Sequence, residues 1–411
     1  MLRTIFYGLT HGIATGRKLA DSCRYDIRMR TLSGELRPDC RTFHRFIIRH
    51  RAEIDALFVQ IVRLAQKMGL VKLGRVAIDG SRFKAKTSKH KAMSYGRMEE
   101  AIQTIRQELE TLKDDLAKTN SGEAAANEMS IPKVMHRRED RLKKIESAKK
   151  ALEADAVAEG KNRPDDRAQK SFHDHDALPM AGKGESFIYG YNAQAAVDEA
   201  HQIVVAAILH DNAADSSALP AVVSELTNNC RGGPAAVLAD AGYNSVDNIR
   251  TVELQGSVPL IAAGKGENAT VQRVAEQLVP TQTPGSYRCI AGKTLVGRVK
   301  KDGRVTLPVP GSLCHSCPFS DFCSVYPKRG KTITLRRIED HELMRAHLAR
   351  MRSDEAGEAY RRRKVIVEPV FGNIKNKGMR IVVRGFTQVK TWWTMACMAH
   401  NIEKLVGAMG S

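Results

Sequence analysis

The sequence predicts an α/β fold: a mixed sheet flanked by helices and broken by insertions. Three observations predict it. Two short apolar, β-branched runs each lead into an aspartate, at Val76-Ala77-Ile78-Asp79-Gly80 and at Val237-Leu238-Ala239-Asp240-Ala241-Gly242-Tyr243. Two more strand-like runs, Ser186 to Val197 and Gln202 to Leu209, flank Asp198-Glu199-Ala200-His201 in the manner of a hairpin. Stretches of helical period separate and follow these strands, and the last is the apolar segment Trp392 to Val406.

In chain order, residues 1–70 read as helical. Leu19-Ala20-Asp21 and Thr42 to Ile48 lie in basic, amphipathic surroundings, and Pro38-Asp39 marks a helix start. This region is either a helix-turn-helix-like DNA reader or a packing subdomain. Residues 71–97 hold the first part of the core: a short buried strand at 74–79, then the Lys/Arg-rich stretch Arg82 to Arg97. Residues 98–160 read as an inserted helical hairpin. Ile102, Ile105, Leu109, Leu112 and Leu116 recur at intervals of 3, 4, 3 and 4, a heptad seam. After a break at Ser121-Gly122 and Pro132, a second stripe follows at Leu142, Ile145, Ala148 and Leu152. The hairpin's charged faces read first as solvated surface, with dimerisation or DNA contact as the second reading.

Residues 161–260 continue the core, with a polar loop up to about 185, the strand pair, a helix near 215–229 and the strand Ala235 to Asp240. Residues 261–350 break the pattern with Gly, Pro, Thr and four cysteines. Regular structure is expected again from about Ser353, and residues 351–411 supply the C-terminal helices. Strand, hairpin, helix, strand and a late helix, in that order, suit a ribonuclease-H-like core.

The 411 residues carry 65 Lys+Arg against 46 Asp+Glu, a formal charge of +19. Such an excess favours a polyanionic partner, because neutralising phosphates releases counterions. No apolar run approaches the roughly 20 residues of a membrane span. His11 and Arg17 interrupt the N-terminal apolar stretch, unlike a signal peptide. Eight cysteines are too sparse for a disulfide scaffold, so a cytoplasmic, nucleoid-associated protein with reduced or metal-bound thiols is expected.

Asp79, Asp240 and a third acid in Val367-Glu368-Pro369-Val370-Phe371-Gly372 are the candidate chemistry. Carboxylates fixed by a fold can hold two divalent ions for in-line displacement at phosphorus. Hard oxygen donors suit Mg²⁺ or Mn²⁺. Taken singly, each acid also has a structural reading: a strand-to-turn Asp79, a capping Asp240, an ion-paired Glu368. Tyr360, Lys364, Glu368 and Lys375 recur at +4, +4 and +7, which places them on one helical face. There Lys364, Lys375, Arg363 and Tyr360 are expected to meet DNA, as is Tyr243 beside Asp240. Pro369 requires either a bend at Glu368 or a new helix with the proline in its first turn. Trp392 and Trp393 are core residues, or one of them abuts a splayed base.

Cys314-x2-Cys317-x5-Cys323, with Cys289 upstream, offers four thiols in one insertion. Two readings stand: a structural Zn²⁺ site closed by four thiolates, with His315 as a substitute ligand, or reduced buried thiols.

Together these segments resemble the DDE transposases of bacterial insertion sequences, in the group with a Tyr-Arg-Glu-Lys signature. The resemblance spans most of the chain. It rests on Ala77 to Ser81, Lys89 to Tyr95, Gly190-Tyr191-Asn192-Ala193-Gln194-Ala195-Ala196-Val197-Asp198, Ala239 to Tyr243, Glu368 to Lys375 and Ala399 to Leu405. It implies a ribonuclease-H-like catalytic core in which Asp79, Asp240 and Glu368 ligate the metals and Lys375 contacts DNA near the cleaved phosphate. It also implies cleavage at element ends, transfer of the freed 3′-OH into target DNA, and at least a homodimer on DNA. Three features depart from the pattern. Lys364 stands where the signature arginine is usual, and Asp174 to Met180 lacks an arginine found in relatives. The chain also starts inside the family's N-terminal region, as a shortened member would. Alternative readings are a hydrolytic DNA nuclease and a non-catalytic DNA-binding relic or inhibitor. No Gly-x4-Gly-Lys-Ser/Thr phosphate loop supports a nucleotide-dependent enzyme.

Overall fold

The N-terminal region is helical, and side chains cap three of its helices. In the computed structural model, which describes residues 1–120, 131–182, 187–263, 277–319, 323 and 331–410, five helices come first: α1 (Leu2–Thr10), α2 (Gly16–Tyr25), α3 (Ile27–Ser33), α4 (Cys40–Arg49) and α5 (Arg51–Lys67). Thr15, Asp26 and Asp39 each accept a first-turn N–H, and Asp39 takes that of Thr42 at 2.6 Å. The α5 helix buries Ile54, Phe58, Ile61, Val62 and Ala65 against the core.

The core follows with β1 (Arg75–Lys84), β2 (Ala92–Ser94), α6 (Tyr95–Asn120), α7 (Ile131–Ala158), β3 (Gln169–Ser171), β4 (Leu178–Ala181), β5 (Phe187–Asp198) and β6 (Val204–His210). Then come α8 (Leu219–Cys230), β7 (Ala236–Ala239), α9 (Val246–Leu254) and β8 (Val258–Ile261). The main sheet runs β4-β5-β1-β7-β8, and β6 pairs with β5 beside β4. The β5 strand is antiparallel to β1, β4 and β6, whereas β1, β7 and β8 are mutually parallel. The β5 strand is buried from Tyr189 to Asp198 because helices cover the sheet, which is why its apolar run hardly alternates.

Here β1 departs from the short strand expected at 74–79. It continues five residues past Asp79 because β5 pairs with it as far as Lys84. Asp79 therefore sits within a strand. Helices α6 and α7 pack as the expected hairpin. Tyr95, Met98, Ile102, Ile105 and Leu109 meet Ile145, Ala148 and Leu152, while Leu112 and Leu116 are only half-buried. The expected break at Ser121-Gly122, and Ser186 at the start of one expected strand, lie outside the described residues.

The cysteine-bearing segment is more regular than its composition suggests. It forms two antiparallel three-stranded sheets, β9 (Val279–Pro280) with β10 (Ser286–Arg288) and β11 (Thr294–Val296), and β12 (Arg298–Val299) with β13 (Val305–Val309) and β14 (Lys331–Leu335). They enclose their own core of Leu278, Tyr287, Leu295, Val305, Leu307, Val309 and Leu335. The one-turn α10 (Gly311–Cys314) lies within this segment. Regular helix also resumes before Ser353: α11 (Ile338–Met351) packs on α9 and β8.

Three helices complete the fold: α12 (Asp354–Arg361), α13 (Arg363–Asn376) and α14 (Phe386–Met409). The closing helix α14 lies on α5 and β6. Trp392 and Trp393 are both buried there, as core residues. The Trp393 indole donates to Gln194 O at 3.0 Å and stacks on Phe371. Asn401 takes both main-chain groups of Val204 at 2.8 Å, so its amide pairs with β6 as a neighbouring strand would. The helix starts at Gly385, which has no capping side chain. Asp174 and Asp176 supply the missing acceptors, taking the N–H groups of Gly385 at 3.1 Å and Phe386 at 2.7 Å. No helix among the described residues is long and apolar enough to cross a membrane.

Candidate active site

The parallel register of β1 and β7 creates the site. Arg75, Val76 and Ala77 lie opposite Ala236, Val237 and Leu238. The same offset brings Asp79 level with Asp240, where β7 has just ended at Ala239. Asp79 Oδ1 accepts the Gly80 N–H at 2.9 Å, and Oδ2 receives Arg363 Nη1 at 3.1 Å. Burial pushes the Asp79 carboxyl above its usual range; Arg363 and the Gly80 N–H pull it down, and the charge of Asp240 pushes it up. Burial lowers Arg363, but Asp79, Tyr360 and Asp240 outweigh that and leave it raised. Asp240 Oδ1 caps the turn Ala241–Tyr243 through the Gly242 N–H at 2.8 Å. It thus fills the capping role read from sequence, while its charge still reaches Asp79.

Beneath the two aspartates lies a polar network that sequence reasoning did not assign to the site. Asp215 Oδ1 accepts from Asn192 Nδ2 and Gln194 Nε2, both at 2.8 Å. The Tyr243 hydroxyl donates to Gln194 Oε1. Gly80 fits over this network because it lacks a side chain: a Cβ there would collide with Gln194 Nε2 and press on Asp215 Oδ1. Asn192 and Gln194 were legible as polar interruptions in an apolar strand; Asp215, alone before a helix, carried no signal.

The expected DNA contacts divide. Tyr243 is fully buried, with its hydroxyl engaged by Gln194, so it does not face DNA. Burial, then the charges of Asp215, Asp79 and Asp240, push its phenol far up. Arg363 is buried and turned inward to Asp79. Tyr360 ends up on α12, because the chain breaks at Arg362, and so it does not share the Glu368 helix. Lys364 and Lys375 are exposed. Lys375 Nζ donates to Ser81 Oγ at 2.5 Å and stands 5.2 Å over the Phe83 ring. Arg363 and Lys375 thus tie the two ends of α13 to β1.

Pro369 does not start a new helix, contrary to one of the two alternatives expected from sequence. It lies inside the continuous span Arg363–Asn376. A proline cannot donate to the carbonyl four residues back. Here Gln202 Nε2 donates to that carbonyl, Val365 O, at 2.9 Å. Glu368 is exposed on this helix. Among the described residues, no three His, Cys, Asp or Glu side chains form a group that holds a metal ion. Asp79 and Asp240 fit a hard cation as two adjacent oxygen donors; Glu368 is not gathered with them.

Residues 288–406 match the family model described as a transposase DDE domain. That match supports an insertion-sequence DDE transposase. No curated protein matches it, and no solved structure matches it. The matched segment carries Glu368, Lys364, Lys375 and the four clustered cysteines, and the Asp79–Asp240 pair lies N-terminal to it.

Proposed function

We propose that this protein is an insertion-sequence DDE transposase that cuts DNA at the ends of its element and joins the freed 3′-OH to target DNA, from a ribonuclease-H-like core. The observation that carries the reading is the register that brings Asp79 level with Asp240 at the end of a parallel strand. The strand order β6-β5-β1-β7-β8, with only β5 reversed between its neighbours, supports the fold assignment.

Asp79 and Asp240 would hold Mg²⁺ or Mn²⁺, with Glu368 as the third ligand when DNA and metal draw α13 inward. Such ions activate the attacking oxygen and stabilise the leaving oxygen in displacement at phosphorus. Arg363 pulls the Asp79 carboxyl down against the larger upward push of burial, favouring the ionised form that a metal needs. The network of Asn192, Gln194, Asp215 and Tyr243 fixes the floor on which Gly80 and the two aspartates sit. Lys375 and Lys364 present point charges to phosphate oxygens. A formal charge of +19 supports DNA as the partner. Joining needs two DNA ends, so the working form is a homodimer on DNA.

The test is a strand-transfer assay with the element's flanking ends, a supercoiled target and Mg²⁺ or Mn²⁺, beside Asp240→Ala. Joined products lost in the variant support the proposal. Nicking without joining marks a hydrolytic nuclease, and binding without nicking marks a DNA-binding relic.

A further inference from the structure

The four cysteines of the small β-sheets, 289 to 323, lie apart from the chemistry just described and converge on one cavity. Cys289 opens the turn after β10, where its N–H donates to Lys293 O and its carbonyl accepts from Gly292 N, both at 2.9 Å. Cys314 ends α10, and the Cys317 N–H folds back to Cys314 O at 3.1 Å, so both thiols issue from one tight turn. Cys323 joins through its N–H to Phe319 O at 2.9 Å. All four line a cavity of about 30 Å³ whose other walls include Leu278 and Leu295. None is in a disulfide. His315 is exposed and does not line this cavity. The void is about the size of one water or one ion.

Four thiols around an apolar void are a poor core on their own. Two three-stranded sheets with strands of two to five residues enclose only a handful of large apolar side chains, and units this small usually need a staple.

We propose that Cys289, Cys314, Cys317 and Cys323 bind one structural Zn²⁺, which staples this β-domain independently of the DNA-cutting site. On binding, each thiol gives its proton to solvent and forms one Zn–S bond, with no change in oxidation state. The thiols turn into the cavity to do so, since among the described residues no three of them are already gathered as a metal-holding group.

The experiment uses the full-length protein, purified under reducing conditions without affinity metals. Zinc is measured by elemental analysis and by its release to a chromogenic chelator on titration with a mercurial. One zinc per chain, released as the mercurial consumes four thiols, is the expected result. Cobalt substitution should add thiolate charge-transfer absorption, which Cys314→Ser and Cys317→Ser weaken. Because those variants can fail to fold, the wild-type release stoichiometry decides. Less than about 0.2 zinc per chain after growth and refolding with zinc, with all four thiols freely titrating, overturns the proposal. The Asp240→Ala variant keeps its zinc if the two sites are independent.

Discussion

The candidate site is built in two halves by two kinds of element. Asp79 and Asp240 are placed by the ladder between two parallel strands, and their separation follows from register. Glu368 and Lys375 are placed by a helix held to β1 near its two ends, through Arg363 and Lys375, with Glu368 exposed between them. A strand fixes a side chain by its neighbours on both flanks. A surface helix fixes its inner face and leaves its outer face free to meet a ligand. The strand-borne acids are therefore held side by side by the sheet, whereas the helix-borne acid is not gathered with them.

The sharpest way to break that comparison is to remove one acid from each half. Asp240→Ala and Asp79→Ala should each lower strand transfer by about 10³-fold or more, the scale at which loss of a preorganised electrostatic group is felt, with DNA binding changed by no more than about twofold. Glu368→Ala should match them in single-turnover assays at saturating Mg²⁺. If Glu368→Ala cuts normally, the helix-borne half is not part of the catalytic set.

Arg363→Gln tests the link between the halves. Without the guanidinium, the Asp79 carboxyl should rise further above its ordinary range. A raised acid favours the folded state while protonated; that contribution is fully present below the unfolded value and is lost as pH rises through the folded one. Metal binding needs the ionised form. The acid limb of the pH–rate profile should therefore move to higher pH in Arg363→Gln, with the alkaline side unchanged. An unmoved acid limb would show that Arg363 does not set the charge of Asp79.

Two smaller effects concern stability. Gly80→Ala should cost about 1–3 kcal/mol in denaturant unfolding, the usual price of overpacking, because Gln194 and Asp215 hold the space. Gln202→Ala should cost about 0.5–1.5 kcal/mol by removing its hydrogen bond to the exposed Val365 carbonyl. Combined with Pro369→Ala, which restores an N–H to that carbonyl, the Gln202→Ala cost should shrink. Equal costs in both backgrounds would mean that the amide acts elsewhere.

The sheet-borne half was legible in sequence because apolar runs leading into Asp79 and Asp240 are local signals. The helical hairpin was legible for the same reason, through the spacing of Ile102, Ile105 and Leu109. What was not legible depends on partners far along the chain. Pro369 reads as a helix breaker until Gln202, more than 160 residues earlier, supplies the missing donor. Tyr243 reads as a surface aromatic until Gln194 engages its hydroxyl beneath Gly80. The two small sheets were missed because strands of two to five residues pair across loops and leave almost no periodic trace. The break at Arg362, which removes Tyr360 from the Glu368 face, has neither Gly nor Pro to announce it.

Asn401 bonds Val204 across 197 residues of chain. During synthesis, β6 leaves the ribosome long before the amide that completes its hydrogen bonding. At about 5–20 residues per second that interval is roughly 10–40 s. Throughout it the nascent sheet offers an incompletely paired margin, which can recruit strands from other chains. Docking of this helix completes the pairing of β6, and a chain in which it is undocked would be prone to self-association.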